Sequence, residues 1–211
     1  MQKHFQYTLF LQNEKALNSN IVLLDNPHFF DLLQEWKKVN KFGFDIETFS
    51  TIEEETALNP QFGEIRLLSI AIPIKCGVKV LLIDLGFLPP ERERIYQQLI
   101  YLGFWELLSE RLANPTVEVI GHSLEFEQQW MLAKYGYKLR CIRDTKLMSQ
   151  VYWAGLDPWL DKANNKPHSL ASVCLRLGIE IDKTEQKSEW GWGDFGAGQL
   201  SNNQLNYAAY D

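Results

Sequence analysis

One stretch of the chain alternates apolar with acidic side chains: Phe42-Gly43-Phe44-Asp45-Ile46-Glu47-Thr48. Successive side chains of a β-strand point to opposite faces, so Asp45 and Glu47 share one face of the predicted strand. Neighbouring carboxylates repel each other unless a cation lies between them, and hard cations such as Mg²⁺ and Mn²⁺ prefer carboxylate oxygens. The stretch therefore predicts either a metal-binding strand or the solvated face of an antiparallel sheet.

A second acidic segment follows the β-rich run 116–120 and leads into a helical pattern: Ile120-Gly121-His122-Ser123-Leu124-Glu125-Phe126-Glu127. Ser123 and Glu127 are four residues apart, so a helix that begins near Ser123 would place both on one face. The alternative is that Ser123 only caps the helix and that Glu127 is solvated. The segment by itself does not separate these interpretations.

The C-terminal segment, Leu200 to Asp211, combines a predicted helix start with a tyrosine and an acid. Ser201 precedes a run of helix-compatible residues and is a candidate N-cap. Tyr207 and Asp211 then fall at positions i and i+4, on one helix face. They are either a half-buried aromatic with a solvated neighbour, or a phenol that holds an attacking water beside an acid that binds a metal.

Together, the three motifs resemble those of the DEDDy 3′–5′ exonucleases, which include ribonuclease D and the proofreading domains of family A DNA polymerases. The matching motifs are D-I-E-T, then G-H-x-x-x-F-[DE], then L-x-x-x-Q-L-x-Y-A-A-x-D, in that order. Three linking stretches match as well: residues 63–71, 144–148 and 182–190. The resemblance runs from about Lys41 to Asp211, which is nearly the whole chain.

This resemblance implies that the chain hydrolyses the terminal phosphodiester of single-stranded nucleic acid 3′ ends and releases nucleoside 5′-monophosphates, using two divalent ions, Mg²⁺ or Mn²⁺. It implies that Asp45 bridges both ions, that Glu47 and Asp211 complete the first site, and that Glu127 serves the second through water. Tyr207, together with Glu47, would orient the attacking water.

Three further residues occupy positions at which the family contacts the terminal nucleotide: Thr48, His122 and Ser123. His122 is equally well explained as a histidine satisfied by loop carbonyls. The second motif also departs from the family pattern, which has Asn at the position of Ser123 and Asp at that of Glu127. Glutamate carries the carboxylate about 1.5 Å farther out. A carboxylate that acts through water tolerates this shift, so we expect an active enzyme; a nucleic-acid-binding module with weakened catalysis is the alternative.

The order of elements predicts an α/β fold with a ribonuclease H-like mixed five-stranded sheet flanked by helices. Strands are expected at about 42–48, 65–72, 78–85, 116–120 and 139–142, the first three as an antiparallel meander. A helix from Pro27 and one long helix from Pro89 to about Leu112 are predicted. Asp144 is interpreted as the cap of the next helix, in preference to a metal ligand.

We expect residues 1–40 to form an N-terminal extension packed on an exonuclease domain of residues 41–211. Within this extension, residues 5–11 and 21–24 are predicted to be extended. The family's last helix continues beyond its acidic residue, so we interpret the sequence as truncated in that helix. A polymerase module in the same chain or in a partner chain is therefore a candidate partner. The stretch 58–67 favours DNA slightly over RNA, with ribonuclease D-like RNA trimming as the alternative.

Composition is consistent with this function. The net charge is −6, with 27 acidic and 21 basic residues, so the chain lacks the overall basic charge of a duplex-binding protein. Four lysines near the predicted site are candidate phosphate contacts: Lys162, Lys166, Lys183 and Lys187. Three scattered cysteines without metal-binding spacing suggest a reducing compartment, and no apolar run approaches the roughly 18 residues of a membrane span, so we expect a cytoplasmic protein with no membrane partner.

Overall fold

The computed structural model of the protein describes residues 18–50, 54–154, 167–179 and 199–210. Several sequence predictions fall outside these residues: the extended segment 5–11, the matching stretch 182–190, the four candidate lysines, and Asp211. They stay predictions.

A six-stranded sheet forms the centre of the described residues. Its strands are β1 (Ile21–Leu23), β2 (Lys41–Phe49), β3 (Glu64–Ile74), β4 (Gly77–Asp84), β5 (Glu118–Gly121) and β6 (Ile142–Asp144), in the order β1-β4-β3-β2-β5-β6. The antiparallel meander of β2, β3 and β4 confirms the prediction, and β5 joins β2 in parallel. The predicted count of five was wrong, because β1, which lies within segment 1–40, pairs in parallel with β4.

Seven α-helices flank this sheet in the described residues. They are α1 (Phe29–Lys38), α2 (Pro89–Tyr101), α3 (Phe104–Ala113), α4 (Glu125–Tyr135), α5 (Thr145–Tyr152), α6 (Leu170–Arg176) and α7 (Asn202–Tyr210). A short 3-10 helix, Glu54–Leu58, follows β2. The fold is thus α/β with a mixed sheet, as predicted.

Three predicted boundaries are wrong, for local reasons. Helix α1 begins after Pro27, because the Asn26 side chain accepts from the His28 N–H and forms a turn first. The long helix after Pro89 is two helices, because Gly103 adopts a left-handed backbone with φ of +66° and ends the first. Strand β6 lies three residues later than predicted, where Ile142 pairs with Val119 of β5.

The two faces of the sheet are covered differently. One face carries the apolar side of β2, with Phe44 opposite Ile70 of β3, and packs against helices α1 and α3 in the main core. The other face carries Leu67 and Leu82, which form a smaller cluster with Leu205 and Ala208 of α7. Helix α7 therefore lies on the face opposite the main core.

None of the helices in the described ranges combines the length and the apolar character that crossing a membrane requires. All three cysteines are free thiols.

Candidate active site

The two acids of β2 lie on the face that α7 covers. Asp45 is directly opposite Ser69 of β3, and Glu47 is directly opposite Leu67. Residues directly opposite each other in paired strands point to the same side of the sheet. Because Leu67 packs against α7, Asp45 and Glu47 also point towards that helix. Strand alternation thus places both acids on one face of the sheet, as predicted from the sequence. Because α7 packs on this face, the alternative of a fully solvated face is wrong.

Glu127 of α4 meets Asp45 in the interior. Only 4% of Glu127 is exposed, and its carboxyl group, when protonated, donates a hydrogen bond to Asp45. Burial, followed by the charges of Asp45 and Asp144, raises the pKa of Glu127 to about 9. Its Oε2 atom is buried without a hydrogen-bond partner among the described residues. The alternative of a solvated Glu127 is therefore wrong.

The turn before α4 explains how Glu127 reaches this position. Ser123 has a left-handed backbone with φ of +71°, and α4 begins only at Glu125, with Leu124 as its N-cap residue. Ser123 is neither the helix cap nor part of the helix, so the predicted shared helix face of Ser123 and Glu127 is wrong. A left-handed non-glycine residue costs about 1–2 kcal/mol, and no local sequence rule for serine predicts one.

His122 is held by protein groups on both sides of its ring. Its Nδ1 atom lies 3.0 Å from Thr145 Oγ1, and its Nε2 atom lies 2.9 Å from the His168 carbonyl oxygen, to which it donates. These contacts match the interpretation of a histidine satisfied within the loop. The substrate contact stays a prediction.

Thr48 has a comparable position at the end of β2. Its hydroxyl donates to the Ala57 carbonyl at 2.7 Å and so connects the strand to the 3-10 helix that follows. This bond holds the backbone beside Glu47 in place. Contact of Thr48 with a terminal nucleotide is a further prediction.

Tyr207 is placed by a helix whose start was correctly predicted. Ser201 Oγ accepts from the Gln204 N–H at 3.2 Å, and the Gln204 side chain accepts from the Ser201 N–H at 2.9 Å, which is a capping box. Tyr207 is 8% exposed on α7, whose neighbours in the fold are β2, β3 and β4. Asp211, four residues later in the sequence, lies outside the described residues.

Asp144 has a larger role than the sequence indicated. It caps α5 as predicted, accepting from the N–H groups of Lys146 at 2.8 Å and Leu147 at 3.2 Å. It also accepts from the N–H groups of Ser123 and Leu124, in the turn before α4. A position at the carboxyl end of a parallel strand beside β5 could have indicated this second role from the sequence. Recognising that position required the correct bounds of β6.

The donor set has the right chemistry for hard divalent cations, although it is incomplete in the described ranges. No group of three or more His, Cys, Asp or Glu side chains there is arranged to hold a metal ion. Glu127 is buried and Asp45 is half-buried, so their neighbouring carboxyls need either a proton or a cation between them, and Glu127 Oε2 lacks a hydrogen-bond partner among the described residues. Carboxylate oxygens of this kind fit Mg²⁺ or Mn²⁺.

Solved structures with a similar fold are nucleases. The EXO domain of Nibbler from Aedes aegypti has a TM-score of 0.60 and 20% identity, covering 93% of this chain and 84% of that one. NrnC of Brucella melitensis, bound to pGG, has a TM-score of 0.54 and 22% identity, covering 90% and 71%. RNase D of Escherichia coli, an exoribonuclease involved in structured RNA processing, has a TM-score of 0.53 and 16% identity, covering 92% and 41%. These likenesses support the ribonuclease H-like fold.

Sequence comparison identifies the family. No curated protein sequence matches the chain. A family model described as 3′–5′ exonuclease matches residues 23–211, which include every acid of the predicted site. The acids that the structure places together on one face of β2 lie within this match. We conclude that this chain belongs to the 3′–5′ exonuclease family.

Proposed function

We propose that the protein removes nucleotides one at a time from single-stranded 3′ ends by hydrolysis of the terminal phosphodiester, releasing nucleoside 5′-monophosphates, with DNA preferred over RNA. The observation that carries the proposal is the contact between the half-buried Asp45 carboxylate within β2 and the buried Glu127 carboxyl in the first turn of α4. Asp45, Glu47, Glu127 and Asp211 would hold two divalent ions, Mg²⁺ or Mn²⁺. These ions would lower the pKa of a bound water and neutralise charge on the attacking and leaving oxygens.

The chain's own groups would supply orientation. Tyr207 comes from α7, which packs on the face of β2 that carries Glu47, so its phenol and the Glu47 carboxylate can hold a water between them. Helix α7 also covers part of this face of the sheet, on which Asp45 and Glu47 are half-buried. Thr48, His122 and Ser123 would border the terminal nucleotide from the ends of β2 and β5.

RNA is the second candidate substrate, for a specific reason. Among the similar structures are RNase D of Escherichia coli and a Trypanosoma brucei RNase D in complex with RNA U12. The DNA preference rests only on the sequence of residues 58–67. We also propose a polymerase module as a partner and a cytoplasmic location. The free cysteines are consistent with a reducing compartment.

The decisive experiment is cleavage of 5′-labelled single-stranded DNA and RNA of one sequence, with Mg²⁺ or Mn²⁺. The wild-type protein is compared with Asp45→Asn and with Asp31→Asn, an exposed acid of α1 that serves as the matched control. We expect a ladder that shortens from the 3′ end, is lost with EDTA and with Asp45→Asn, and is unchanged with Asp31→Asn.

The same experiment ranks the alternatives. Faster shortening of RNA than of DNA would reverse the substrate preference. Binding of both oligonucleotides without shortening in either metal would replace the enzyme with a binding module on the same fold, and Glu127→Asp would then be the variant to test for restored cleavage.

A further inference from the structure

The turn between β5 and α4 is held by the segment that joins β6 to α5. Strands β5 and β6 run parallel, with Gly121 directly opposite Asp144. Beyond this pair the two chains diverge, one into the turn of residues 121–124 and the other into α5. Continuing the β2–β5 register by two residues places His122 beside Asp45. The turn therefore lies between Asp144 on one side and the acids of β2 on the other.

Asp144 has its carboxylate engaged on both of these chains. Its Oδ1 atom accepts from the Ser123 N–H at 3.1 Å and from the N–H groups of Lys146 and Leu147 in α5. Its Oδ2 atom accepts from the Leu124 N–H at 2.9 Å. Three N–H donors saturate the two lone-pair sites of Oδ1, and the Leu124 N–H occupies one of the two sites of Oδ2, so the backbone uses most of the capacity of this carboxylate.

Two neighbours of Asp144 add contacts to the same turn. The Thr145 hydroxyl donates to the Gly121 carbonyl at 3.0 Å and lies beside the ring of His122. The Lys146 ammonium donates to Ser123 Oγ at 3.1 Å. Residues 144–146 thus contact every residue of the turn 121–124.

The turn needs this support because its backbone is strained and tight. Ser123 has a positive φ, a conformation that persists only where the surroundings impose it. At Gly121, an added Cβ would lie 2.5 Å from Leu124 Cδ2 and 2.9 Å from the Phe44 carbonyl oxygen. The turn therefore folds closely over β2, and its path sets where α4 begins and where Glu127 points.

We propose that Asp144 is a positioning residue, which holds the Ser123–Leu124 turn in its left-handed conformation and so directs Glu127 to Asp45. The expected effect of Asp144 on cleavage rests on the proposed function. This role requires no contact of Asp144 with the substrate or the metal ions. It acts through the backbone N–H groups at the start of α4.

A serine substitution separates the two jobs of Asp144. In Asp144→Ser the shorter hydroxyl can still cap α5, since serine is a favoured N-cap, but it cannot reach the N–H groups of Ser123 and Leu124. Asp144→Asn is the conservative variant: its amide oxygen can replace Oδ1, while its NH₂ group faces the Leu124 N–H and cannot accept from it. Ser169→Ala, which removes the Ser172 N–H cap bond of α6, is the matched control for loss of a helix cap.

The first readout is amide hydrogen exchange, which does not depend on catalysis. We expect the Ser123 and Leu124 amides of Asp144→Ser to exchange at least about 10-fold faster than in wild type, while the Leu147 amide stays protected. Unchanged exchange at Ser123 and Leu124 would overturn the proposal, whether or not the protein cleaves nucleic acid.

The second readout is function, measured as Mn²⁺ affinity and as kcat and KM for the oligonucleotide. Outer partners of metal ligands typically contribute 10–100-fold to metal affinity or activity, and we expect a loss in kcat of about that size for Asp144→Ser. Asp144→Asn should retain more activity than Asp144→Ser, and Ser169→Ala should retain wild-type kcat. Faster exchange with unchanged Mn²⁺ affinity and kcat would overturn the positioning role.

The two proposals fail in different ways. If the wild-type protein does not shorten any oligonucleotide, the proposed function fails, and exchange together with Mn²⁺ affinity still decides the role of Asp144. If wild type is active and all three variants lose activity in proportion to their loss of melting temperature, Asp144 is only structural and the positioning role is wrong.

Discussion

The two faces of the central sheet serve different purposes. Among the described residues, the face against α1 and α3 belongs to an apolar cluster of 28 buried residues, whereas the face against α7 has a cluster of six. The second face also carries Asp45 and Glu47, and Glu127 is buried close by with a raised pKa. The first face stabilises the fold mainly by burying apolar side chains. The second face buries fewer apolar side chains and carries acidic ones instead.

This difference shows how one strand can serve stability and chemistry together. The even-numbered side chains of β2 from Phe42 to Ile46 enter the main core, while Asp45 and Glu47 point to the opposite face. The core fixes the strand in position and register, so the acids are held without contributing to the core themselves. A functional site supported by rigid elements in this way keeps its geometry when it binds charged ligands. Changes on the two faces should therefore separate stability from activity.

The largest expected effect comes from equal leucine deletions on the two faces. Leu33→Ala, at a residue that is 1% exposed in the main core, should lower the free energy of unfolding by about 2–5 kcal/mol. Leu205→Ala, at a residue that is 7% exposed on α7, should cost about 2 kcal/mol, because the smaller cluster can relax around it. Urea unfolding measures both values.

Cleavage by the same two variants sharpens the comparison. Per folded molecule, Leu33→Ala should retain activity, whereas Leu205→Ala should lose it, because α7 carries Tyr207. If Leu33→Ala and Leu205→Ala lose the same free energy of unfolding and retain the same activity, the two faces do not differ in their contributions to stability and to cleavage.

Tyr207→Phe tests the chemical face alone. Removal of the hydroxyl should lower kcat by about 10–100-fold, equivalent to about 1.4–2.7 kcal/mol of transition-state stabilisation, with little change in melting temperature. Tyr210→Phe, at an exposed residue of the same helix, is the matched control and should stay within about 2-fold of wild type. Similar losses in both variants would assign the effect to α7 packing instead of to the phenol.

Glu127→Gln tests the cost of burying charge. The raised pKa means that the folded protein retains a proton on Glu127 that the unfolded chain releases above about pH 4.5. In EDTA this contribution to stability is complete below pH 4.5 and is lost as the pH rises towards about 9. Glu127→Gln should therefore melt at least about 2–4 °C higher than wild type at pH 8, and the difference should shrink towards pH 5.

Thermal melts across pH, with and without Mg²⁺, check this prediction. Added Mg²⁺ should raise the melting temperature of wild type more than that of Glu127→Gln and so narrow the difference at pH 8. A constant difference between the two proteins at every pH would show that the Glu127 carboxyl is not the group that titrates.

The smallest expected effect is at the edge of the chemical face, where the chain before β1 contacts α7. The Asn18 N–H donates to Asn206 Oδ1 at 2.9 Å, and the Asn18 side chain donates to the Tyr210 hydroxyl. Asn18→Ala removes this side-chain bond, together with the bond that Asn18 Oδ1 accepts from the Asn20 N–H at 2.9 Å, and should cost about 0.5–1.5 kcal/mol. Asn20→Ala, two residues along, is the control for urea unfolding. A loss no larger than that of Asn20→Ala would show that this contact does not stabilise α7.

Much of the architecture was predictable, because it depends on local patterns. The alternation around Asp45, the antiparallel meander, the cap at Ser201 and the cap at Asp144 all follow from rules that act over a few residues. The break at Gly103 was missed, because a glycine within a long helical pattern does not always end it. The extended character of residues 21–24 was predicted, but its pairing with β4 was missed, because a local pattern does not show which strand a segment joins.

The site was less predictable than the fold. The positive φ of Ser123 depends on bonds to Asp144 and Lys146, more than 20 residues away in sequence. The burial of Glu127 depends on how α4 meets β2, which no helix pattern in residues 123–135 reveals. The first feature requires the pairing of β5 with β6, which brings Asp144 beside the turn, and this tertiary pairing does not appear as a short motif.

The sequence by itself determined the class of fold, the acids that form the candidate site and the order in which they occur along the chain. It did so because strand alternation, helix caps and motif spacing are local properties of the backbone. Only the tertiary structure decided that Glu127 is buried beside Asp45 and that Asp144 accepts hydrogen bonds from the turn before α4. Burial and pKa depend on which surfaces pack together, and packing joins residues that are distant in the sequence.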